Sequence, residues 1–148
     1  MRAFSFVILS LVMLCGAPAG FAESPPADAV HTPAAGSAER KAILEALHAE
    51  YTTGSGAGVK FLVKHFKAHQ GWAWINVVPL NPSGQPEGDE WPSLLRLNNG
   101  KWTIVDLVAI AQPFNESEGP PSPSARFLKA IQKKYPTVPG DIFPAASK

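Results

Sequence analysis

The chain has 148 residues, with 13 basic and 12 acidic side chains, 15 prolines and one cysteine. A near-neutral balance excludes a protein that works mainly through nucleic-acid phosphates, which takes a basic excess or stripe. A single cysteine excludes an internal disulfide, and the length suits one domain whose core holds without such staples.

Arg2 is followed by Phe4 to Cys15, an uncharged run in which only Ser5 and Ser10 are polar. A helix needs roughly 20 residues to cross about 30 Å of hydrocarbon, so this run is too short to span a bilayer. It has the length of a signal-peptide core instead. Pro18 breaks the helix, and Gly20 and Ala22 are small residues at the spacing a signal peptidase reads. Ala17 and Ala19 offer a second cleavage site. A lipid-modified Cys15 requires Gly, Ala or Ser before it, and Leu14 stands there. Residues 1–22 are therefore read as a cleaved secretory signal peptide. The expected product is periplasmic or secreted, with no stable membrane insertion after cleavage. Arg2 leaves with the signal, so basic and acidic residues balance at 12 each.

Residues 23–36 are rich in Ala and Pro and read as a flexible leader. Ser37 offers an N-cap for a helix over Ala38 to Tyr51, with Ile43, Leu44, Leu47 and Tyr51 on one stripe. Gly54, Gly56 and Gly58 end it as a connector, since neither a preceding strand nor a following Gly-Lys-Ser/Thr supports a phosphate loop. From Val59 the period changes to two. Val59, Phe61, Val63 and His65 share one strand face, with Lys60, Leu62, Lys64 and Phe66 on the other. Lys60, Lys64 and Lys67 read as a solvated strand edge rather than a nucleic-acid site.

A turn at His69-Gln70-Gly71 leads to a second strand, Trp72 to Leu80, and Asn81 to Asp89 is a loop. A third strand starts at Trp91 or Ser93 and ends at Asn98, where Asn98-Asn99-Gly100 is the strongest hairpin signal in the chain. Lys101 to Ala111 reads as the fourth strand. After a Pro/Gly/Ser loop at Asn115 to Ser122, Ser122 is expected to cap a last helix. Pro123 opens that helix, which runs to about Lys134 with Phe127, Leu128 and Ile131 buried. Val138, Ile142 and Phe143 tack the tail to the body. The expected fold is α+β, an N-terminal helix on a four-stranded antiparallel sheet plus a C-terminal helix, in one domain at 37–148.

Gly71-Trp72-Ala73-Trp74-Ile75, Leu94-Leu95-Arg96 and Gly100-Lys101-Trp102-Thr103-Ile104-Val105-Asp106 together form a block. Preceded by a helix that begins Arg40-Lys41-Ala42-Ile43-Leu44, this block resembles one found in a family of small exported bacterial proteins. The resemblance covers roughly Arg40 to Val108 and carries no assigned activity. The layout is also similar to the cystatin-like and NTF2-like folds, an architectural analogy that does not fix function.

Two sets of residues are candidate sites. Asp106, in phase with Trp102, Ile104, Val108 and Ile110, and His65 on the first strand would form an acid/base pair if a curved sheet brought them together, as in NTF2-like enzymes. The alternative is that both are solvated near strand ends. Trp72, Trp74, Trp91 and Trp102 are the candidate binding residues, with the core claiming at least two of them. His65 and His69 are four apart, but on a strand that spacing separates them by about 13 Å. No metal or cofactor is expected, and no Gly-x-Ser-x-Gly surrounds any serine. The reading is an exported binding or accessory protein without catalytic activity, presenting a sheet face or the Asn81–Asp89 loop to another envelope protein. The second reading is an NTF2-like cup or enzyme using Asp106 and His65.

Overall fold

The computed structural model describes residues 29–55, 59–114 and 123–145, without the side chains of 51–55. The expected signal peptide, residues 23–28 of the leader, Gly56, Gly58 and the Asn115–Ser122 loop lie outside the described residues. The elements are α1 (Ala38–Ser55), β1 (Lys60–His69), β2 (Trp72–Leu80), β3 (Trp91–Asn98), β4 (Lys101–Ile104), α2 (Val108–Ala111) and α3 (Ala125–Lys134), followed by a 3₁₀ turn at Gly140–Ile142. The sheet order is β1-β2-β3-β4, with every neighbouring pair antiparallel. The α+β architecture expected from the sequence is the one observed.

Two hairpins of the same kind set the register. His69 pairs with Trp72 across Gln70-Gly71, and Asn98 pairs with Lys101 across Asn99-Gly100. Both residues of each loop have positive φ, from 48° at Asn99 to 77° at Gly100. That is the two-residue turn whose twist matches the strands it joins.

Helical layers cover both faces of the sheet. On one side Ser37 caps α1 by accepting from the Arg40 N–H at 3.1 Å. Ile43 and Leu47 of α1 are fully buried against Phe66, Ala73, Ile75, Val77, Leu95 and Trp102. Each such aliphatic side chain contributes about 1.5–3 kcal/mol by leaving water. On the other side α2, α3 and the tail bring Ile110, Phe127, Ile131, Val138, Ile142 and Phe143 onto Trp72, Trp74 and Leu94. Strand β2 is the shared wall, which is why it is buried without alternation from Trp72 to Val78 and apolar on both faces apart from Asn76.

Helix α1 runs past the expected end at Tyr51, through Gly54 to Ser55, and three further boundaries differ from expectation. The leader is docked from His31 onward. His31 exchanges both backbone hydrogen bonds with Ala68 on the outer edge of β1, Pro33 is buried, and the Arg40 guanidinium donates to the Pro33 carbonyl at 3.0 Å. The fourth strand stops at Ile104 instead of continuing to Ala111, and the chain enters α2. The last helix starts at Ala125, capped by the Ser124 hydroxyl, which accepts from the Phe127 N–H at 3.2 Å. Pro123 thus precedes the cap.

A bulge in β1 has the largest consequence for the candidate site. Val63 pairs with Val77 and His65 with Asn76, leaving Lys64 as an extra residue. One extra residue inverts the alternation beyond it. Phe61 and Val63 pack under α1, as do Phe66 and Ala68. His65 is therefore on the opposite face from Val63, contrary to the expected phase.

Candidate functional site

The bulge turns His65 and His69 toward the C-terminal segment. His65 Nε2 donates to the Ile142 carbonyl at 2.8 Å, and His69 Nδ1 bonds Asp141 Oδ1 at 2.9 Å. The other two histidines also fasten segments. His31 Nε2 meets Glu39 Oε2 at 2.7 Å, while His48 Nε2 bonds the Val59 carbonyl at 2.8 Å and stacks on Phe61 at 4.8 Å. Burial disfavours the charged form of His31. The hydrogen bonds to Glu39 and to the Ala29 carbonyl, with the Glu39 charge, outweigh that and raise its pKa above 6.5.

Asp106 lies beyond the end of β4, is exposed, and accepts from the Val108 N–H at 2.8 Å through Oδ1. It thereby closes a turn just before Leu107, the N-cap of α2, instead of sharing a strand face with Trp102 and Ile104. The structure does not bring Asp106 and His65 together. They belong to opposite edges of the sheet, three interstrand spacings or about 14 Å apart.

The tryptophans divide three to one. Trp74 is fully buried and meets Phe143 edge-on at 5.1 Å. Trp72 is held between the Arg96 guanidinium at 5.1 Å and Tyr135 at 5.7 Å, and Trp102 is buried under α1. These three serve as core, so as surface candidates they are corrected. Trp91, 41% exposed, is the tryptophan that stands at the surface. The Asn81–Asp89 loop is exposed from Pro82 onward and is organised by Asn81, whose Oδ1 accepts from the Gln85 N–H at 2.9 Å.

An open groove of about 400 Å³ lies where β4 ends, lined by Pro92, Ser93, Leu94, Ile104 to Val108, Ala111 and Glu50. Its origin is local. The Leu94 carbonyl accepts from the Val105 N–H at 2.8 Å, and the Leu97 N–H points the other way to Gly71. Even-numbered positions of β3 therefore face β4, and the next one along is Pro92. Proline has no N–H to continue the ladder, so β4 has nothing to pair with and the chain turns away at Asp106. The walls are apolar, and Glu50 and Asp106 contribute two carboxylates. Sequence reasoning named Asp106 but missed the groove, for which Pro92 inside a strand was the available signal.

Among the described residues no group of three or more His, Cys, Asp or Glu side chains is placed to hold a metal ion, and no helix is long and apolar enough to cross a membrane. The chain matches no protein-family model, and no curated protein or solved structure is significantly similar to it.

Proposed function

We propose that the protein is an exported, non-catalytic binding module whose groove at the end of β4 takes a partner segment that joins an apolar body to a positive charge. The groove carries this reading: apolar walls from Leu94, Ile104, Leu107 and Val108, with the Asp106 and Glu50 carboxylates beside them. Apolar concavities with a few placed polar groups are the usual form of a binding site. The histidine rings that would serve as general bases are bonded elsewhere, three of them to Ile142, Asp141 and Val59 and the fourth to Glu39. The uncharged run Phe4 to Cys15 behind Arg2 supports export, and the partner then is another envelope protein.

The test is an NMR titration with a Leu-Arg-Leu peptide and a Leu-Glu-Leu counterpart. The Arg peptide should shift amide signals of Ser93, Leu94 and Val105 to Val108, and Asp106→Asn should weaken it about threefold to fivefold, as for one partly exposed ion pair. Equal binding of the Glu peptide, or shifts confined to the far edge near His65, would sink the proposal.

A further inference from the structure

We infer that the exposed face of α3, continued by Arg96, is a docking surface for an anionic lipid bilayer. The sequence of α3, ARFLKAIQKK, holds four cations and no acid. Phe127 and Ile131 turn into the core, while Arg126, Lys129, Lys133 and Lys134 are exposed. Arg126, Lys129 and Lys133 follow at helical spacings of three and four, so they line one side of the helix. The row extends past the helix through ring contacts. Lys134 Nζ lies 5.7 Å from the Tyr135 ring centre, Tyr135 lies 5.7 Å from Trp72, and the Arg96 guanidinium lies 5.1 Å from Trp72. In the described segment 123–145 the lone carboxylate is Asp141, which His69 holds.

Helix stability does not account for this arrangement. Cations in the last turn complement the helix dipole, which explains Lys133 and Lys134. Arg126 stands in the first turn, where the dipole disfavours a cation, and its guanidinium rests 4.9 Å from the Phe114 ring centre. Lys129 and Lys133 are like charges at i and i+4, which oppose each other. Neither of these two lysines makes an ion pair with a described residue. Lys129 and Lys133 therefore carry a mutual repulsion that an external anionic surface relieves.

The shape selects the partner. From Arg126 to Lys134 the row spans about 12 Å along a convex helix, which suits a surface and not a pocket. A single-stranded nucleic acid needs stacking rings, and Trp72 beside the row is buried.

The full chain should be titrated with vesicles of phosphatidylcholine alone and with vesicles containing about a third phosphatidylglycerol. The neutral vesicles set the baseline for the apolar N-terminal run. Binding above that baseline should require the anionic lipid and fade as salt shortens the screening length. K129Q/K133Q should weaken it on the order of 25-fold, at about fivefold per cation. K60Q/K64Q removes the same charge from exposed positions of β1 and should change it less than threefold. The inference is overturned by equal losses in the two variants, by equal binding to both vesicles, or by no binding at low salt. Capture by heparin with vesicles ignored overturns it as well. Unchanged thermal midpoints confirm that each variant is folded.

Discussion

The His65 ring and the Ile142 carbonyl, 77 positions apart in the chain, are joined by a 2.8 Å hydrogen bond that fastens the C-terminal segment to β1. Ile142 itself is fully buried. His65→Ala should therefore lower the unfolding free energy by about 1–3 kcal/mol, because the carbonyl loses its donor in a buried setting. Denaturant unfolding checks the magnitude, and hydrogen exchange should localise the added opening to Val138–Phe143. A neutral effect on stability would remove His65 from its fastening role.

Removing residues up to Gly36 should destabilise the domain by about 1–3 kcal/mol. The cut takes away both bonds between His31 and Ala68, the buried Pro33 ring and the Arg40 contact with the Pro33 carbonyl. The Arg40 guanidinium, which lies 5.1 Å from the Phe66 ring, would then have lost an anchor. A chain starting at Ser37 with an unchanged thermal midpoint would show that the strap is idle.

The strap should also respond to pH. The His31 pKa is raised in the folded chain, against the desolvation that opposes its charge and by the bonds to Glu39 and to Ala29. A raised folded pKa means that this contact stabilises fully below the unfolded value of 6.5 and that its contribution is lost as pH rises through the folded pKa. Unfolding of the wild type and His31→Asn across pH 5 to 8 should give curves that converge toward the alkaline end. Parallel curves would assign the titration to another group.

Asp106 allows its charge and its hydrogen bond to be separated. Asp106→Asn keeps an oxygen that accepts from the Val108 N–H, so stability should change by less than about 0.5 kcal/mol while the groove loses a charge. Asp106→Ala removes both and should cost about 0.5–1.5 kcal/mol, the usual net range for one hydrogen bond. If Asn and Ala were equally destabilising, the carboxylate charge and not the hydrogen bond would hold this corner.

The sequence shows most of what local chemistry controls. Ser37 and the Ile43/Leu47 stripe mark α1, Asn99-Gly100 marks its hairpin, and the run of β2, apolar but for Asn76, reflects its place between two layers. What it hides are features set by pairing partners. The Lys64 bulge exists only relative to β2, and without it His65 falls on the wrong face. From Trp102 to Ile110 the run is apolar apart from Thr103 and Asp106 and reads as a buried strand, yet β4 ends where Pro92 of β3 has no N–H for the ladder. The leader looked unstructured because Ala and Pro have little to bury, while its docking uses backbone groups, which composition does not record.

Because β2 is walled on both sides, the order in which the chain appears matters to its assembly. The layer over Ile75 and Val77 comes from α1, which precedes the strand. The layer over Trp72 and Trp74 comes from Ile110, Phe127, Ile131, Val138, Ile142 and Phe143, all of which follow it. A chain delivered from its N-terminus can close the first layer early, but it must carry two indole faces in water until Phe143 has emerged. Shortening the tail at Pro139 would remove Ile142 and Phe143 and keep the Trp74 edge uncovered, prolonging a sticky intermediate.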